Sequence, residues 1–171
     1  MMTHFVQQLA LIAIPFLLAI TLHEFAHGWM ADRLGDPTAR AEGRLTLNPL
    51  KHIDLVGLLV LVVTRFIGWA KPVPVNPYNF RHPRRDMAWV ALAGPLANMI
   101  LAMVFSLLYR MMIYLNPRLS LVHNPLLGKG IVGLEELGGP LGFIVIPLFL
   151  MVEIGVVLNV ALAIFNLIPI P

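Results

Sequence analysis

Three long apolar runs frame this chain. Residues Phe5 to Ala31, Met87 to Leu115 and Pro140 to Phe165 each exceed the ~20 residues that a helix needs to cross a bilayer. Polar, turn-rich stretches separate them. Residues 32–54 carry Gly35, Asp36-Pro37, Gly43 and Asn48-Pro49, 71–86 is rich in Pro and Arg, and 116–139 mixes Pro, Gly and acidic residues. A fourth apolar run, Leu55 to Ala70, is short, broken by Gly57, Arg65 and Gly68, and rich in β-prone Val.

Charge placement decides how that fourth run is used. If it does not cross, Arg33, Arg40, Arg44, Lys51, Arg65, Lys71, Arg81, Arg84 and Arg85 share one side, against Arg110, Arg118 and Lys129 on the other. If it crosses, the bias weakens and Arg65 is buried in lipid. Cytoplasmic loops collect Lys and Arg. The pattern therefore predicts an all-α polytopic membrane protein with three core transmembrane helices. Residues 55–70 form a small re-entrant or β element on the cytoplasmic side. Non-helical backbone at membrane depth must line protein or a water-filled cavity, so an aqueous cleft is expected beside it.

Composition agrees. Apolar residues make up 58% and charged residues 12%, where soluble domains hold about 45–50% and about 25%. The net charge of +3 sits in the gaps between spans and calls for no nucleic-acid partner. There is no cysteine, so a thiolate metal site or a cysteine nucleophile is excluded. The N-terminus lacks the basic region and cleavage site of a signal peptide, and the first span is expected to stay. Residues 1–171 are read as one membrane-embedded domain.

The chemistry is concentrated in His23-Glu24-Phe25-Ala26-His27, inside the first span. On a helix, residues four apart share a face, so both imidazoles reach one ion. Such a pair holds zinc, with the adjacent Glu24 as general base toward water that the metal acidifies. Ionisable groups are costly in lipid and are placed there for function. Catalytic zinc has three protein ligands. Of the possible third ligands, His4 lies ~30 Å before His23 along the same helix and His123 falls in the opposite loop; His52, His82, Asp54 and Asp86 are on the right side, each more simply a loop or interfacial residue.

The chain resembles the site-2 protease family, the intramembrane zinc metalloproteases. The likeness rests on HEFAH at 23–27, NPLKHID at 48–54, GWAKPVPVNP at 68–77, ALAGPLAN at 91–98 and FNLIPIP at 165–171. It implies one Zn2+ per chain and an endopeptidase acting on transmembrane or membrane-proximal segments in regulated intramembrane proteolysis. It also implies a third ligand, an Asp of an Asp-Gly pair, beyond Pro171, so the domain is expected to be incomplete at its C-terminus. His23 and His27 lie roughly 6–12 Å inside the cytoplasmic end of the first span, and three spans return the chain end to that side. The expected setting is the cell membrane, multi-pass, with the active site toward the cytoplasm and membrane proteins and lipid as partners. A non-proteolytic metal-binding membrane protein or transporter is the alternative.

Substrate-binding candidates are Asn98, which the resemblance turns toward the active site, Asn166 and Pro169 in the terminal Asn-Leu-Ile-Pro motif, and Trp69 and Lys71 in an edge segment beside the cleft. An unwound substrate helix could add itself to that edge as a strand.

Overall fold

The computed structural model describes residues 2–64, 69–122 and 139–168. It is mostly helical, with five α-helices among the described residues: α1, Met2–Arg33; α2, Thr38–Ala41; α3, Leu55–Thr64; α4, Pro83–Leu115; and α5, Gly139–Leu167. Parts of α1, α4 and α5 are long and apolar enough to cross a membrane, over Leu9–Arg33, Pro83–Leu115 and Gly142–Leu167. Their exposed residues are apolar too. Ile100, Met103, Leu107 and Met111 run at helical spacing down one exposed stripe of α4, and Phe143, Ile144 and Leu148 are exposed on α5. In water such a surface would drive association; against lipid it is the expected outer face.

Short motifs start the connecting turns. Asn48-Pro49, Asn76-Pro77 and Asn116-Pro117 each open a 3-10 turn, and in each the Asn side chain accepts the amide two residues on. Proline presets φ there and lacks the amide that would otherwise be orphaned. Gly35 and Gly43 flank α2 with φ of 108° and 63°, backbone that a side chain disfavours. At the start of α4, Asp86 accepts the His82 amide at 3.1 Å and pairs with Arg85 at 3.0 Å.

The fourth apolar run differs from a β-hairpin. Residues 55–64 form the ten-residue helix α3, started by Asp54, whose carboxylate accepts the Gly57 amide at 2.8 Å. At 1.5 Å per residue it is about 15 Å long, half of what a span requires. A helix satisfies its own amides, which an isolated strand against lipid cannot. The β character is confined to one antiparallel bridge, Ile53 with Ala70, joined by the Lys71 amide on the His52 carbonyl at 2.9 Å. Leu55, Val56, Leu59 and Val63 of α3 are exposed.

The chain falls into two compact units. One holds residues 1–16 and 100–160. Its core is Leu119, Val122, Ile146, Phe149 and Leu150, with Tyr109 stacked on Phe149 at 4.9 Å. Gly155 admits the Phe105 ring, which a Cβ would meet at 2.7 Å.

The other unit holds residues 17–99 and 161–171. Ala31, Phe80 and Val90 form its buried cluster, with Met30, Leu34, Val75 and Met87 packed around them. Buried Asp36 ties its loops together, accepting the Asn76 amide at 2.7 Å, the Asn79 side chain at 2.6 Å and the Thr38 amide at 3.1 Å. Burial alone would raise this carboxyl; the bonds from Thr38, Asn76 and Asn79 outweigh it and hold it below the ordinary carboxylate range.

Candidate metal centre

His23 and His27 stand one turn apart on α1 and both turn to α4. The His27 Nδ1 lies 2.7 Å from the Val90 carbonyl oxygen, and the His23 Nδ1 lies 2.5 Å from Asn98 Oδ1. Advancing from 23 to 27 on α1 moves back from 98 to 90 on α4, so the two helices run antiparallel here.

These bonds fix the tautomers. A carbonyl oxygen only accepts, so each Nδ1 carries a proton, and in the neutral ring each Nε2 is then a lone pair. The two Nε2 atoms face one another at 3.0 Å, with the rings nearly perpendicular at 83°. Two lone pairs at that distance repel unless a cation lies between them. Zn–N bonds of about 2.0–2.1 Å in tetrahedral geometry set two nitrogens roughly 3.3 Å apart. The imidazole pair therefore fits a zinc ion in donor type, tautomer and spacing. Anchoring the far nitrogen to a carbonyl is the usual way a protein orients a metal-binding histidine.

Close packing makes this possible. Gly94 of α4 lies directly under the rings, and a Cβ on it would come within 2.6 Å of both His23 Cε1 and His27 Cε1. Pro95, next in line, is fully buried.

Glu24 points to a strap rather than to α4. Its Oε2 accepts the Val73 amide at 2.9 Å. Gly28, one turn further along α1, leaves room for that strap: a Cβ there would meet Val73 Cγ1 at 3.0 Å and Ala39 Cβ at 3.2 Å. The carbonyls of Lys71 and Pro72 in the strap accept one nitrogen of Arg44, at 2.8 and 3.2 Å.

The other candidates take these places. Asn98 is 1% exposed and sits behind His23, where it orients the ring. Trp69 is half exposed and packs on Gly57 of α3, whose Cβ would meet the indole at 3.0 Å. Lys71 has an exposed side chain, while its backbone joins His52 and Arg44. Asn166 is exposed and donates to the Leu162 carbonyl of its own helix at 2.8 Å. Pro169 and His123 lie outside the described residues.

Among the described residues no group of three His, Asp or Glu side chains converges as a metal site. His52 is fully buried and bonds the Thr46 carbonyl at 2.8 Å, Asp54 caps α3, and Asp86 caps α4. The contributions of the Val90 carbonyl, the Val73 amide and Arg44 carry no sequence signal, because two are backbone groups and the third depends on tertiary placement. Gly94 was legible only as a small residue in a span.

Fold and site together define a multi-pass membrane protein that carries two facing histidines inside a helical span. The chain matches the family model described as Peptidase family M50 over residues 11–171, and it belongs to that family, the site-2 protease family. It is 37% identical over 161 residues to a Bacillus subtilis protein named "Putative zinc metalloprotease YwhC", covering 94% of this chain and 63% of that one. It is 36% identical over 101 residues to "Putative zinc metalloprotease Rip2" of Mycolicibacterium smegmatis, covering 55% of this chain and 38% of that protein. A Mycobacterium tuberculosis protein of the same name is 33% identical over 94 residues, 52% of this chain and 36% of its own length. The chain thus spans less than two thirds of these relatives. No solved structure matches it.

Proposed function

We propose that this chain is the core of an intramembrane zinc endopeptidase that hydrolyses peptide bonds in transmembrane or membrane-proximal segments of other proteins, in the manner of regulated intramembrane proteolysis. The observation that carries the proposal is the pair of facing Nε2 atoms, 3.0 Å apart, on the helical turn that also carries Glu24. Family membership and the names of the relatives support it. His23 and His27 hold the ion, and a further ligand comes from outside the described residues. Zinc, when bound, supplies a Lewis acid that acidifies water and polarises a peptide carbonyl. Glu24 takes the proton from the attacking water and delivers it to the leaving amine. Its Val73 bond occupies one oxygen and leaves the other for that transfer. Asn98 and the Val90 carbonyl hold the rings in the metal-binding tautomer.

The proposed setting is the cell membrane, with the site on the cytoplasmic side, where the charge count places the loops around it. Helix α3 then lies re-entrant in the cytoplasmic leaflet, its exposed Leu and Val side chains in lipid. Trp69 and Lys71 border the substrate path, and Asn166 and Pro169 belong to the segment leading to the third ligand.

Glu24→Gln in the full-length protein tests the assignment. We expect loss of cleavage of a single-span substrate with zinc still bound. Unchanged cleavage would exclude Glu24 as the base; zinc binding without any cleavage by the parent protein would favour a non-proteolytic metal-binding role.

A further inference from the structure

We propose that Arg44 is a positioning residue for Glu24, acting through the strap at residues 71–73; the proposal rests on the assignment of Glu24 as general base. Arg44 is only 7% exposed. No ion pair joins it among the described residues, and its Nε is buried without a partner. A buried guanidinium without a carboxylate is costly, and packing alone would be served as well by Met or Leu. What Arg44 does instead is donate from one nitrogen to two successive carbonyls, Lys71 at 2.8 Å and Pro72 at 3.2 Å. Those carbonyls belong to no sheet; pairing in this segment ends at the single bridge of Ile53 with Ala70. The next amide along the chain is that of Val73, and it is the one that bonds Glu24 Oε2 at 2.9 Å.

The connection is therefore short and directional. Arg44 holds two carbonyls, the following amide is aimed at α1, and it meets the carboxylate of Glu24, the residue next to His23 in the chain. Gly28 contributes by letting Val73 approach α1 closely. A Glu side chain has three rotatable torsions, and among the described residues it is the Val73 amide that holds this carboxylate. Misplacement of a reacting group by ~1 Å lowers rates by about 10²-fold, so a loosened Glu24 is expected to lose about 10-fold or more in kcat. The histidine pair is held by Asn98 and the Val90 carbonyl rather than by the strap, so zinc content is expected to hold; Arg44 bonds the Lys71 backbone and leaves the exposed Lys71 side chain free, so KM is expected to change less than kcat.

The test compares Arg44→Met, Arg44→Lys, Val73→Pro and the double variant Arg44→Met/Val73→Pro in the full-length protein. It reads zinc content, kcat and KM on a single-span substrate, and hydrogen exchange at the amides of Lys71 and Val73. Arg44→Met should lower kcat about 10-fold with KM within about twofold, keep its zinc, and speed exchange at both amides. Arg44→Lys, which keeps a cationic donor, should recover part of the rate. The double variant should be no slower than Val73→Pro alone, because both changes remove one contact. The proposal is overturned if Arg44→Met keeps its kcat, if it loses zinc, if exchange at Val73 is unchanged, or if the two substitutions multiply. Should the parent protein prove unable to cleave, the catalytic assignment fails by itself, and the exchange data still decide whether Arg44 holds the strap.

Discussion

Gly94→Ala adds one methyl group at the point where α4 touches both histidines. The added Cβ would lie 2.6 Å from His23 Cε1 and 2.6 Å from His27 Cε1, where ordinary contact begins at 3.4 Å. The His23 ring must then move about 0.8 Å, and the His27 ring, whose Nε2 would lie 2.4 Å from the Cβ, about 1.0 Å, away from α4. But each ring is tied to α4 itself, at 2.5 Å to Asn98 and 2.7 Å to Val90. A retreat of that size brings both bonds to the edge of hydrogen-bonding range, or drives α1 and α4 apart at a cost of about 1–3 kcal/mol. Either way the imidazoles lose their fixed tautomer and spacing. Zinc affinity should fall about 10–100-fold, as when an orienting partner of a metal ligand is removed. Alanine is the better helix former, so a weakened α4 is not the cause. Leu96→Ala, at an exposed position of the same helix, is the control and should be silent. Competition against a chromophoric zinc chelator in detergent reads the affinity. Wild-type affinity in Gly94→Ala would refute the packing argument.

Two further outcomes follow from the same geometry. Asn98→Leu removes the acceptor from the His23 Nδ1 proton, leaving a buried donor that costs about 1–3 kcal/mol; zinc affinity should drop about 10–100-fold, and Asn98→Asp, which keeps an acceptor, should restore most of it in the same chelator assay. Asp36→Asn weakens the loop junction with Thr38, Asn76 and Asn79, and should lower stability at neutral pH by about 1–3 kcal/mol. Because the folded Asp36 carboxyl is held below its unfolded value, its stabilisation is complete above about pH 3.9 and is lost as pH falls through the folded value. The gap in thermal midpoint between wild type and Asp36→Asn should therefore close under acid; a gap independent of pH would contradict the assigned cause.

Much of the fold was legible because lipid imposes length. Three runs of more than ~20 apolar residues leave little choice but helices, and α1, α4 and α5 appear where those runs lie. The fourth run was less decidable. Val and Leu favour strand and helix by turns, and only the structure shows that Asp54 caps a ten-residue helix and that pairing is limited to Ile53 and Ala70. The histidine pair was legible from spacing alone, since helical geometry places 23 and 27 on one face. Their supports were not. Asn98 is visible as a polar residue in a span, yet sequence could not distinguish a group facing substrate from one facing a histidine. The Val90 carbonyl and Val73 amide are common to every residue and become special only through the antiparallel register of α1 and α4 and the course of the strap.

The proposed function stands or falls on whether the two imidazoles of one helical turn, His23 and His27, hold a cation. Metal analysis of the purified full-length protein, with X-ray absorption at the zinc edge, tests it most directly. The expected result is ~1 zinc per chain with nitrogen neighbours at about 2.0–2.1 Å, lost in His23→Ala and in His27→Ala and retained in Glu24→Gln. A protein that cleaves its substrate without metal, or that keeps its zinc after both histidines are replaced, would contradict it.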